Sequence, residues 1–226
     1  MLVGSIAWLH APPGTAAVKN HWARERPWRP GRRLWALYVS CGSIPPVVAH
    51  ATAFQERLSG VNGLDLVEPR WLHMTVLGVA FVEEVDPARM AGLLERVTAV
   101  AAAVPPIDMV AAAPRARTDA VWMSVSTTPS IVPLRQELEQ AVRTCLGREP
   151  HVLPLPRTGF APHISIAYAN ADPPAADEVN ERLSAVDRPP VSFRASHLSL
   201  LRLRREAARW SWDGEQRIPF AGIGMP

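Results

Sequence analysis

Two tetrapeptides of one design, His73-Met74-Thr75-Val76 and His163-Ile164-Ser165-Ile166, stand 90 residues apart in this chain of 226 residues. Both lie in apolar, β-favouring runs, and successive side chains of a strand alternate between its faces. His73 and Thr75 therefore share one face, about 7 Å apart along the strand, while Leu72, Met74 and Val76 take the other. In the second copy His163 and Ser165 share a face, and Ile164, Ile166 and Tyr168 fall opposite, as packing residues. Each segment offers an imidazole and a hydroxyl on a strand whose back is hydrophobic, and any fold for this chain has to bury both backs.

A single match to His–apolar–Ser/Thr–apolar is cheap, and the chain holds a third, His197-Leu198-Ser199-Leu200. That copy falls in the same half as His163, where a duplicated chain has no need of it. His197 is read as structural, with its use as the second histidine the alternative.

The order of elements supports a duplication. Helical stripes recur at Val47, Ala51, Phe54 and Leu58; at Met90, Leu94, Val97 and Ala101; and at Leu134, Leu138, Ala141 and Cys145. Asp86-Pro87 is an N-cap followed by proline, Ser130 is the candidate cap of the third helix, and Gly147 stops it. A weaker fourth pattern covers Asp172 to Val186, with Val179 and Leu183 on one face. Strand-like segments run over Leu34–Ser40, Trp71–Val82, Ile107–Ala113, Ala120–Ser126, His163–Ala169, Val191–Leu203 and Arg217–Phe220. A strand–helix–strand–helix unit thus occurs twice, which predicts two similar lobes, although helix spacing alone also permits a parallel α/β fold. Residues 1–32, rich in Pro, Gly, Trp and Arg, predict an irregular arm, and residues 33–226 a single bilobal domain.

Composition narrows the function classes. The net charge is +3, Lys19 is the sole lysine, and arginine supplies the rest of the 24 basic residues. Such a balance admits a phosphate-bearing ligand but predicts no long duplex-binding surface. Cys41 and Cys145 are far apart and read as small buried hydrophobes, not as a disulfide framework or zinc site. The opening segment lacks a basic n-region and no apolar run spans a bilayer, so the expected location is the cytoplasm, with no membrane partner.

Arg70-Trp71-Leu72-His73-Met74-Thr75 and Phe160-Ala161-Pro162-His163-Ile164-Ser165 resemble the two motifs of the 2H phosphoesterase superfamily, which includes bacterial 2′-5′ RNA ligases and RNA 2′,3′-cyclic phosphodiesterases. The resemblance covers roughly Arg33 to Phe220. It implies an α+β, bilobal, duplicated fold, with two antiparallel sheets facing across a cleft and helices outside. It implies His73 and His163 as the catalytic pair, and Thr75 and Ser165 as hydroxyls holding phosphate oxygens. Serine stands at the second position, where threonine is also common; both donate an O–H.

The chemistry follows from the side chains. In-line attack on a phosphodiester needs a base for the incoming oxygen and an acid for the leaving one, and two imidazoles supply both. The expected activity is a metal-independent phosphodiesterase without cofactor, acting on RNA ends or a small nucleotide bearing a 2′,3′-cyclic or 2′-5′ phosphodiester. The expected form is a monomer with no protein partner. The rivals are a nucleotide-phosphate binding module without turnover, and a phosphodiesterase for a small cyclic phosphate unrelated to RNA.

Trp71, on the His73 face of a regular strand, is a candidate base-stacking residue, though a packing role is the plainer reading. Trp35 and Tyr38 have similar standing. Arg115, Arg117, Arg157, Arg202 and Arg204 are candidates for a basic cleft wall, and His10, His21, His50 and His151 are read as solvent or packing residues.

Overall fold

The computed structural model describes residues 19–23, 28–29, 31–151, 159–170 and 174–222. Its helices form where the apolar stripes run. Val47, Ala51, Phe54 and Leu58 are all buried on α1 (Pro45–Leu58), whose first turn is opened by proline. The Asp86 carboxylate caps α2 (Pro87–Ala102), accepting the amides of Ala88 at 2.9 Å and Arg89 at 3.3 Å. α3 (Val132–Leu146) begins after Ile131, with Ser130 one residue further out, its hydroxyl accepting the Val132 amide at 3.3 Å. Gly147 ends that helix at φ 65°, a left-handed conformation that a side chain resists. α4 (Ala176–Ser184) is shorter than its sequence pattern and buries Val179 and Leu183; Asp172 lies outside the described residues.

Among the described residues ten strands accompany them: β1 (Arg33–Ser40), β2 (Leu64–Leu66), β3 (His73–Phe81), β4 (Ile107–Ala111), β5 (Arg115–Ala116), β6 (Ala120–Thr128), β7 (His163–Ala169), β8 (Val191–Ala195), β9 (His197–Arg205) and β10 (Trp210–Pro219). All pair antiparallel, in the order β10-β9-β1-β3-β7-β6-β4-β8, with β2 on β7 and β5 on β6. The fold is α+β, and the two expected sheets are joined edge to edge through β3 and β7.

Three expectations change. The segment Val191–Leu203 is two strands, broken at Ser196. That one residue joins β8, at one end of the strand order, to β9, near the other, so the sheet curls back on itself. Consequently the lobes are not the two halves of the chain. One lobe takes β1 and β3 from the N-terminal side and β9 and β10 from the C-terminal side; β4, β6, β7 and β8 make the other. The third motif copy lies on β9 and thus belongs to the lobe of His73. β10 also starts seven residues before the apolar Arg217–Phe220 run, because an edge strand carries polar residues that hide it from a hydrophobic pattern.

The main core lies between the helices and one face of the sheet and takes in Leu37, Met74, Val76, Ile164 and Ile166. A smaller cluster on the other face of the first lobe holds Leu34, Ala36, Tyr38, Phe81, Leu201 and Leu203, with Trp28, Trp210 and Trp212 packed against it. Among the described residues no helix is long and apolar enough to cross a membrane.

Candidate active site

The seam between the lobes is where the motifs meet. β3 and β7 pair antiparallel with Met74 opposite Ile164. In that register His73 falls opposite Ser165, and Thr75 opposite His163. All four point away from the buried Met74 and Ile164, and directly opposed side chains lie about 5 Å apart at Cβ. The sheet therefore brings together on one face the four residues singled out from sequence.

Each histidine opens its strand, and each is held in the same way. Nδ1 of His73 lies 2.7 Å from the Trp71 carbonyl, and Nδ1 of His163 lies 2.8 Å from the Ala161 carbonyl. A carbonyl only accepts, so Nδ1–H donates in both rings and Nε2 keeps its lone pair for the cleft. Burial, opposed by the Trp71 carbonyl and reinforced by charge on His163, lowers the His73 pKa to about 4. Burial also lowers that of His163, but there the Ala161 carbonyl and the nearby Asp119 carboxylate favour the proton. The two environments thus differ in kind: a carboxylate supports the proton on His163, and the charge on His163 opposes the one on His73.

A feature invisible to period counting appears beside each motif. Between β1 and β3 the register slips from Leu37↔Leu77 to Tyr38↔Thr75, leaving Val76 as an extra residue. Between β6 and β7 it slips from Val121↔Ala167 to Trp122↔Ser165, leaving Ile166 extra. Both bulges follow directly on the motif hydroxyl, and bulges re-aim side chains next to functional sites. Each bulged carbonyl is held by a helix side chain: Arg135 of α3 donates to Val76 O, and Gln55 of α1 donates to Ile166 O at 2.8 Å and Val67 O at 2.6 Å.

The second bulge corrects the placement of Tyr168. The extra residue reverses the alternation, so Tyr168 turns to the cleft face, on the side of Ser165. Tyr38, directly opposite Thr75, stacks on His73 at 4.3 Å with planes 3° apart. Burial pushes both phenols up, so both stay protonated. Trp122 takes the corresponding place against His163 at 4.7 Å, and the Arg117 guanidinium lies 4.7 Å from the same indole. Trp35 packs instead against the main core.

Trp71 reaches the site by a different route from a regular strand. Pro69–Trp71 form a 3-10 turn that precedes β3, and the turn sits so close to Gly42 that a Cβ there would lie 2.7 Å from Pro69 O. Trp71 packs edge-on against Trp212 at 4.7 Å, and its buried Nε1 has no hydrogen-bond partner. A cavity of about 390 Å³ beside His73 is lined by Trp71, Tyr168, Trp210, Glu68 and Arg209 among others.

His21, read from sequence as a solvent or packing residue, packs on Tyr168 and Trp210 and is hydrogen-bonded through both ring nitrogens. Its Nδ1 lies 2.7 Å from Asp119 Oδ2, and Trp210 Nε1 donates to its Nε2 at 2.9 Å. Nothing in its sequence context gives a periodic signal, because its partners are 98 and 189 residues away. His197 is half-buried, 3.1 Å from Ser196 Oγ, while Ser199 is fully buried and donates to Glu215. His50 is buried against Phe54, and His151 packs on Phe81. Arg202 and Arg204 pair with Asp213, and Arg115 is exposed on β5. Cys41 is buried but Cys145 only partly so. Arg157 and His10 lie outside the described residues. Among the described residues no three His, Cys, Asp or Glu side chains converge as a metal-ligand set.

The family model of the 2'-5' RNA ligase superfamily matches residues 45–207, most of the chain. The chain belongs to the 2'-5' RNA ligase superfamily. Membership carries a coarse assignment, an enzyme of the phosphoesterase or ligase type. Solved structures agree on the fold. TT0787 of Thermus thermophilus is 18% identical, with 83% of this chain and 98% of that one covered at a TM-score of 0.62. E. coli LigT in apo form is 11% identical over 84% and 98% of the two chains at 0.59. The LigT complex with 3'-AMP gives 13% identity, the same coverage and 0.59. No curated protein matches the chain.

Proposed function

We propose that this superfamily member is a phosphodiesterase that opens a 2′,3′-cyclic phosphate by two-histidine acid–base catalysis and needs no metal. The observation that carries the proposal is the matched presentation of His73 and His163. Both use Nδ1 on a carbonyl two residues upstream, both start adjoining strands, and Thr75 and Ser165 lie across from them.

The electrostatics support distinct roles. His73, held neutral, takes the proton of the attacking water as its oxygen bonds to phosphorus. The bond from phosphorus to one ribose oxygen breaks, and His163, whose proton the Asp119 carboxylate supports against burial, delivers a proton to that oxygen. The product is a ribose phosphomonoester with one free hydroxyl. Thr75 and Ser165 donate to the non-bridging oxygens where charge builds. With a 5′-hydroxyl in place of water the same groups form a 2′-5′ linkage. Trp71 offers its ring to a base in the adjoining cavity.

The test is turnover of a nucleoside 2′,3′-cyclic phosphate in the presence of a chelator. His73→Ala and His163→Ala should each lower kcat by about 10²–10⁴-fold. Full activity in either variant, or no turnover by the parent protein, overturns the proposal.

A further inference from the structure

The cavity beside His73 has a wall built from both lobes, and the N-terminal arm packs behind it. Tyr168 comes from β7 and Trp210 from β10, and His21 stands behind both. The imidazole ring lies 4.3 Å from the Tyr168 ring, while its Nε2 accepts the indole N–H of Trp210. The arm is anchored to the second lobe through its backbone. Lys19 N donates to Thr118 O, and His21 N donates at 2.8 Å to Ala169 O, the next residue after Tyr168. It is anchored to the first lobe by Arg205, whose guanidinium donates to the Trp22 carbonyl. Trp22 closes the gap, its Nε1 donating to Asp65 Oδ2 at 2.7 Å and its ring packing on Tyr168 and Trp210 at 5.3 and 5.9 Å.

His21 and Trp22 thus back the end of the cleft that Tyr168 and Trp210 wall. We propose that His21 and Trp22 are a stop across that end of the cleft, so that the cavity admits one nucleoside and excludes a chain continuing beyond it. Its lining suits a nucleoside: Trp71, Tyr168 and Trp210 offer ring faces and edges, and the Glu68–Arg209 pair offers polar contacts. The substrate class that follows is a mononucleoside cyclic phosphate, in preference to the end of an RNA chain. This inference rests on the catalytic reading given above.

Binding and turnover together test it. Tryptophan fluorescence titration compares a nucleoside 3′-monophosphate with a tetraribonucleotide bearing a 3′-phosphate, and kcat/KM is measured for the corresponding cyclic phosphates. The parent protein should favour the mononucleotide by about tenfold or more in both readouts. The double variant His21→Ala, Trp22→Ala should bring that preference within about threefold. Arg205→Ala, which frees the arm without touching the cavity lining, should narrow it in the same direction, and thermal melts check that both variants fold. Equal handling of the two ligands by the parent, or a preference unmoved in both folded variants, overturns the stop and leaves the catalytic reading standing. A preference in binding without turnover of either cyclic phosphate supports the stop and overturns the catalytic reading.

Discussion

His73 is buried and neutral, and that has a measurable consequence for stability. Its pKa is about 4 in the folded protein, against an ordinary value of 6.5. The unfolded chain therefore binds a proton more readily, and stability falls as pH drops through the window between those values. The sign is that of a depressed group: the contribution is fully present above about pH 6.5 and is lost towards pH 4. Integrating between pH 7 and pH 4 gives a loss of about 3 kcal/mol from this residue alone. Other groups titrate over the same range, so the measurement is a difference. Urea unfolding of the parent protein and of His73→Gln, at half-unit steps from pH 7 to pH 4, isolates the His73 contribution. The parent should lose about 3 kcal/mol more than the variant over that range. A gap that stays flat, or that moves in favour of the parent at low pH, refutes the argument that burial holds His73 neutral. On the proposed mechanism, with unprotonated His73 as base, the acid limb of kcat/KM should lie near pH 4.

Other residues give sharper tests of individual contacts. Asp119→Asn removes the carboxylate that favours the His163 proton, so the alkaline limb of kcat/KM should move to lower pH with the acid limb unchanged; an upward move would refute the role of Asp119. Gln55→Leu strips the amide from Ile166 O and Val67 O, and urea unfolding should show a loss of about 1–3 kcal/mol, with kcat falling as the Ser165 strand loses its bulge. Unchanged stability would show that the bulge holds itself. Thr75→Val and Ser165→Ala should each cost about 10–10³-fold in kcat, with thermal melts near the parent's. Trp71→Ala should raise KM for a nucleoside cyclic phosphate by about tenfold, the worth of one stacked base, with kcat little altered; an equal fall in kcat would place Trp71 with the reacting groups.

The local signals proved reliable because they depend on near neighbours in the chain. A strand's two-residue alternation put His73 with Thr75, and His163 with Ser165, against apolar backs that the structure buries. The helical stripes, the Asp86 cap and the Gly147 stop are likewise set within a few residues of where they act. The same alternation failed at Tyr168, because one inserted residue, Ile166, reverses every side chain beyond it. It also misplaced Trp71, which a proline-led turn carries to the cavity outside any strand.

Which residues are available for chemistry, on which kind of element they sit, and that there are two copies can all be read along the chain. How the copies meet cannot, because that depends on long-range pairing. The match of Met74 with Ile164 across the lobes, the separation of β8 from β9 at Ser196, and the reach of His21 to Asp119 and Trp210 all join distant parts of the chain. Strand partnership and register are settled by which faces can be buried together, and no stretch of the chain carries that information alone. The motifs singled out four side chains, and the seam between β3 and β7 brings them onto one face.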